Sequence, residues 1–345
     1  MKQHLTINQL AAQIMAEKRD RADYLADTRQ LTMRDNATLE ANGIGQFGVN
    51  PVAHQQIAAR LGIPLAYYDR MREEAPHLLA NNVNIWLHRE PETRLLRTLR
   101  GNVRAFLSDR YRPLDNASLL AHVLPVLADI PEARVESSAL TESRLYLKVV
   151  APRVEGEVKK GDVVQAGVLI TNSEVGKGAL SVQPLVFRLV CLNGLVIPDS
   201  RVRANHIGRR LDQESLDVYA DDTLRADDQA VMLKLRDTVR AAVDQAIFAK
   251  RLDTMRGAAE SDKLTAPVKA IEKLGDKFGL LQSETDAVLT RLIEGGDLSQ
   301  WGVLNAVTRA AQDVESYDRS TELEAVGGRI LTLSPSQWRE VAQAA

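Results

Sequence analysis

Asp162-Val-Val-Gln-Ala-Gly-Val-Leu-Ile-Thr171, followed at once by Asn172-Ser-Glu-Val-Gly-Lys-Gly178, decides the reading of this chain. The first ten residues are rich in Val, Ile and Leu, as a strand covered on both faces should be, and the next seven supply two glycines and several turn formers. A buried strand that ends in a tight loop predicts a sheet around it. Working outward, candidate strands lie at 134–138 and 144–150, and a helix is expected over 117–127. Leu95 to Leu99 and Val103 to Leu107 read as a hairpin with Gly101-Asn102 at its turn. Residues 180–197 fit either one long strand or a strand that turns into a short helix, and periodicity does not separate the two.

The flanks read as helical. Residues 1–29 have a helical pattern, after which Asn36, Asn42, Gly43 and Gly45 punctuate short extended pieces. Asn50-Pro51 is a good helix start, and the stretch Ile57 to Pro64, with Tyr67, Tyr68 and Met71, has a helix, glycine turn, helix layout. That layout suits a helix-turn-helix unit, and equally any close helical corner. Val231, Leu235, Val239, Val243 and Ile247 fall on one face of a helix expected to run to about Met255, and further helices begin near Pro267, Ser283, Ser299 and Ser334. The fold class expected is α+β: a central, mostly antiparallel sheet with packed helices over residues 93–210, between helical regions at 1–92 and 211–345.

A chain of 345 residues with one cysteine can bury a large core but cannot form an intrachain disulfide. The N-terminus lacks a signal-peptide pattern and no segment has the apolar length of a membrane span, so a cytoplasmic protein without a membrane partner is expected. The net charge of −2 hides an uneven layout. Arg94, Arg97, Arg100, Arg104, Arg110 and Arg112 stand against Asp109 alone, whereas Leu211 to Asp228 carries seven acids against Arg225. A second basic segment holds Arg201, Arg203, His206, Arg209 and Arg210.

Arginine's forked, permanent charge suits phosphate, and Phe106 and Tyr111 are interleaved for base stacking, so these segments are the candidate nucleic-acid-binding face. A solvated charged surface, or pairing with the acids after Leu211, would produce the same count. The loop with Asn172, Glu174 and Lys177 offers glycine amides and one cation. It lacks the Ser or Thr that a Walker loop places after its lysine, so a structural connection accounts for it as well. The six histidines are scattered, and no metal site or cofactor is expected. Cys191 lies in the apolar run Leu189 to Leu192 and is expected to be buried and inert. Asp109, Asp115, Glu136, Glu142 and Glu174 would supply paired carboxylates if the fold joined two of them.

Several stretches resemble one family. They are Phe106 to Asn116, Thr171 to Leu180, Phe187 to Gly194, Trp301 to Thr308, Tyr317-Asp-Arg319, Glu322 to Gly328, and Leu61-Gly-Ile-Pro64 with Tyr67 and Tyr68. The chain is similar there to the bacterial, plasmid and phage family catalogued as domain of unknown function 932. The resemblance implies a mobile-element setting and brings no catalytic signature with it. Together with the arginine segments, that setting favours a nucleic-acid-binding factor of the single-strand annealing or protecting kind, with single-stranded DNA as partner; such factors form rings or filaments, so a homo-oligomer is expected. By fold-level analogy, the order of elements over 116–194 loosely echoes the annealing recombinases. The alternatives are a metal-dependent enzyme acting on nucleic acid or nucleotides, and a helix-turn-helix regulator.

Overall fold

A computed structural model describes residues 5–197, 203–204 and 221–344. The chain begins with α1 (Ile7–Arg19), whose Thr6 and Gln9 form a reciprocal capping box. The helix expected through residue 29 stops there. Arg21-Ala-Asp-Tyr-Leu-Ala-Asp27 becomes β1 (Arg21–Asp27), because it finds a seven-residue antiparallel partner in Thr93–Leu99. Next come β2 (Leu31–Met33), β3 (Leu39–Ala41), β4 (Gly45–Val49), α2 (Pro51–Arg60), α3 (Leu65–Glu74), α4 (Pro76–Arg89), β5 (Thr93–Leu99) and β6 (Asn102–Ser108). Their strands form one sheet in the order β1-β5-β6-β4-β3-β2. The β5–β6 hairpin, expected within the central domain, thus completes an N-terminal sheet. Its turn is made by Arg100 and Gly101, both at positive φ, while Asn102 already belongs to the strand.

One face of this sheet carries Leu96, Val103 and Phe106 into a core with Ile57, Tyr68, Leu79 and Val83 from α2 to α4. Gly62, at φ +67, makes the corner between α2 and α3. The other face presents Leu95, Ala105 and Leu107, and turns toward the rest of the molecule.

The second sheet follows α5 (Asn116–Ala128) and contains β7 (Arg134–Leu140), β8 (Leu145–Lys159), β9 (Asp162–Asn172), β10 (Leu180–Arg188) and β11 (Asn193–Val196), with β12 (Arg203–Ala204) pairing to the start of β10. The run 180–197 is therefore two strands joined by a turn. Val149 faces Val168 and Leu147 faces Ile170 across β8 and β9, and this layer packs on α1 and α5. The alternate residues Tyr146, Val150 and Leu169 point to the opposite face. With both faces covered, β9 reads as an unbroken apolar run.

The C-terminal helices are α6 (Asp221–Ala242), α7 (Gln245–Ala259), α8 (Pro267–Phe278), α9 (Gln282–Gly295), α10 (Gln300–Ala310), α11 (Tyr317–Leu331) and α12 (Pro335–Ala342). The single long helix expected from Val231 is broken at Asp244, whose side chain accepts the Ile247 N–H and caps α7. Met232, Leu235 and Val239 of α6 are buried against α5 and the second sheet. Helix α11, not foreseen as a helix, covers the second sheet and brings Glu324 to a buried ion pair with Lys148 of β8. The fold is α+β with antiparallel-rich sheets.

Candidate functional site

The loop between β9 and β10 sits between the two sheets and is held by nearly every polar atom it has. Asn172, Ser173, Glu174 and Val175 are all buried. Asn172 Nδ2 donates to the Leu114 carbonyl (2.7 Å) and to Asn116 Oδ1 (2.8 Å). Ser173 Oγ donates to the Ser143 carbonyl (2.7 Å) and accepts the Lys177 N–H (2.9 Å), and the Ser173 carbonyl accepts the Tyr111 hydroxyl (2.9 Å). Val175 packs with Val52, Leu95, Ala105 and Leu107 on the inner face of the first sheet. Its carbonyl accepts from Gln56 Nε2 (2.8 Å), and Gln56 Oε1 in turn accepts the Phe106 N–H (2.8 Å). Gly176 turns the chain at φ +73.

The Glu174 carboxylate is the centre of an internal ion cluster. It accepts from Arg21 (3.3 Å), from Arg104, and from the Asn116 N–H (2.7 Å). Arg97 is wholly buried, at 0% exposure. Its guanidinium donates to both oxygens of Asp23 (3.1 and 3.0 Å), to Asp115 (2.8 Å) and to the Glu174 carbonyl (2.9 Å). Arg21 reaches Asp115 as well (2.7 Å), and Glu17 stands 3.8 Å from Arg104. Burial works against the Arg97 charge, but the bonds and charges of Asp23 and Asp115 outweigh it and hold the guanidinium above its usual range. Burial likewise opposes the Asp115 charge, and Arg97 and Arg21 overcome it, keeping that carboxyl below its usual range.

The electropositive face expected over Arg94 to Arg112 is thereby corrected. Strand alternation turns Arg97 inward, and the bulge in the β5–β6 pairing, where Arg97 faces Ala105 and Thr98 faces Val103, leaves Arg104 as the extra residue, also directed into the cluster. Arg94 pairs with Glu92 (2.5 Å) and lies over the Phe106 ring. Arg112 pairs with Asp227 (2.8 Å) and Asp228, the two acids through which the acidic stretch does neutralise one of the six. Arg100 is exposed and bonded to Asp20 (3.2 Å). Arg110 is exposed and makes no ion pair within 4 Å among the described residues. Phe106 is 3% exposed and belongs to the helix-side core, and Tyr111 is half-buried with its hydroxyl tied to the loop, so neither presents an open ring for stacking. Arg201, Arg209 and Arg210 lie outside the described residues. Arg203 is described as backbone alone, paired with Ser181.

Beside the loop, a cleft of about 420 Å³ opens between α2, the β7–β8 turn and the start of α11. Lys177 Nζ enters it and donates to Gln55 Oε1 (2.9 Å), while Arg144 Nε donates to the Lys177 carbonyl (3.0 Å). Asp318 faces them, accepting from Ser143 Oγ (2.6 Å) and Thr141 Oγ1 (3.3 Å). Glu142 is exposed on the rim. Among the described residues, none of Lys177, Arg144, Asp318 and Glu142 has an opposite charge within 4 Å, in contrast to the paired cluster behind the loop. Sequence reading named Glu142 and Lys177 but missed Arg144 and Asp318, which are 174 positions apart and carry no local pattern.

Asp115 and Glu174 do come together, but with Arg21 bonded to both, which spends their charge. Among the described residues, no group of three or more His, Cys, Asp or Glu could hold a metal ion. Cys191, expected in the core, is half-buried in the β10–β11 turn with Arg188 Nη1 3.1 Å from its sulfur. Among the described residues no helix is long and apolar enough to cross a membrane.

Residues 105–329 match the family described as Domain of unknown function (DUF932), and the chain belongs to that family. The match covers the hairpin's second strand, the second sheet, the loop and the C-terminal helices through α11. No curated protein and no solved structure matches the chain.

Proposed function

We propose that the protein binds nucleic acid, single-stranded DNA in preference to duplex, as an annealing or protecting factor. The observation that carries this reading is the gathering of cations around one end of the second sheet. Lys177 and Arg144 have no carboxylate within 4 Å among the described residues, and Arg110 stands beside Tyr111, whose hydroxyl is bonded to the same loop. At that end the backbone of Arg203 and Ala204, in β12, pairs with Ser181 and Leu180 next to the loop. Unpaired cations on a polar ledge are what a phosphate backbone requires. A recognition-helix reading of α3 finds less support, because Arg70 is paired with Glu74 (2.9 Å) and the exposed end of the helix carries Glu73 and Glu74.

The test is fluorescence anisotropy with one labelled strand, alone and annealed to its complement, with and without magnesium. The reading expects tighter binding of the single strand, independent of magnesium and without cleavage. Absence of binding to either form contradicts it, and magnesium-dependent breakdown of the strand would favour the enzyme instead.

A further inference from the structure

The geometry points to the cleft beside Lys177 as a base-reading pocket, in which the carboxylates of Asp318 and Glu142 accept hydrogen bonds from the exocyclic amines of unpaired bases. This rests on the single-strand reading and adds a base preference to it. Carboxylates in a polyanion site repel phosphate, so their presence opposite Lys177 and Arg144 needs an explanation. On a nucleic-acid strand the groups able to satisfy an ionised carboxylate are base N–H donors, and the cytosine N4 amine is a partner for Asp or Glu. Pairing takes up one N4 hydrogen and leaves the other only in the major groove, whereas an unpaired cytosine leaves both open.

Asp318 is prepared for this role. The Ser143 and Thr141 hydroxyls fix its orientation while an ionised carboxylate retains further lone-pair sites. The buried Tyr146 hydroxyl lies next to it; burial, and then the Asp318 charge, push its pKa up and keep it neutral beside Asp318 and Arg144. The size of the cleft, about 420 Å³, is that of a pocket for a ligand as large as a nucleotide. Lys177 and Arg144 then take the phosphate on one side, and Asp318 and Glu142 take the amine on the other.

Oligo-dC and oligo-dT of equal length separate these contributions, since both are pyrimidine strands of equal charge and only cytosine offers an amine where thymine offers a carbonyl oxygen. Titrated against the full chain by anisotropy, oligo-dC should bind about tenfold more tightly than oligo-dT. In Asp318→Asn the preference should shrink to about twofold or less, with oligo-dT binding held or improved, since a repulsive charge is gone. Glu142→Gln, on the exposed rim, provides a second variant whose fold is not at stake, and should reduce the preference in the same direction. Equal affinity for the two oligomers in the wild-type protein, or a cytosine preference that survives both substitutions, overturns the base-reading assignment while leaving single-strand binding in place. Failure of both oligomers to bind overturns both readings.

Discussion

Gly176 and His54 are the single residues whose replacement speaks most clearly. At φ +73, Gly176 occupies a conformation that a β-branched side chain resists, and an added Cβ would meet Leu107 Cδ2 at 2.7 Å. Gly176→Val should therefore lower unfolding free energy by about 1–3 kcal/mol in urea titration, and Gly176→Ala by less. Lys177→Ala should change stability by no more than about 0.5 kcal/mol, because Arg144 bonds to the Lys177 carbonyl and not to its side chain. His54 lies buried between α2 and α3 with Nδ1 2.8 Å from the Tyr68 hydroxyl. Burial, and then the charge of Arg72, lower its pKa from 6.5 to about 4. Between these values the unfolded chain binds the proton and the folded one does not, so the contribution is whole above pH 6.5 and lost as the pH falls toward 4. Urea midpoints should show about 2–3 kcal/mol of stability disappearing over that window, and His54→Gln should flatten the slope there. An unchanged slope in the variant would refute the assignment to His54.

At the scale of elements, the hairpin β5–β6 and the β9–β10 loop depend on each other through Arg97 and Glu174. Removing one member of a buried ion pair leaves the rest of the network uncompensated, at a cost of about 3–5 kcal/mol. Arg97→Met should thus destabilise strongly, whereas Arg110→Gln, exposed and unpaired among the described residues, should leave the thermal midpoint nearly unchanged. Equal sensitivity of the two would contradict the division between internal and surface arginines. The elements themselves were largely legible where local signals agreed: β9 from its apolar run, α12 from the Ser334 and Gln337 capping box, α2 from Asn50-Pro51. The boundary at residue 20 was not, because β1 is fixed by pairing with residues 66 to 78 positions away. The destination of the arginines was hidden for the same reason. Arg97 meets Asp23 at a separation of 74 positions, and the bulge that reorients Arg104 has no mark in the composition. Cys191 was misread because an apolar tetrapeptide was taken for core when it forms an exposed turn, with Val190 and Leu192 at 59% and 66% exposure.

For the whole molecule, two sheets are joined across a buried charged seam, and a single loop supplies both the seam's anion, Glu174, and the cleft's cation, Lys177. The loop is thus structural on one side and available on the other. Sequence singles out the loop with Glu174 and Lys177, whereas the opposite roles of its two sides, and the Arg144 and Asp318 that join Lys177 at the cleft, emerge only in the fold. The central claim is that the available side meets a phosphate backbone, and salt dependence tests it most directly. For a single strand, the plot of log K against log salt has a slope near −0.7 per phosphate contact. Measured by anisotropy for the wild-type protein and for Arg110→Gln/Lys177→Gln, the slope should become shallower by about 1.4 as two contacts are lost, at an unchanged unfolding midpoint. Identical slopes for the two proteins, or binding that ignores salt, would contradict the account.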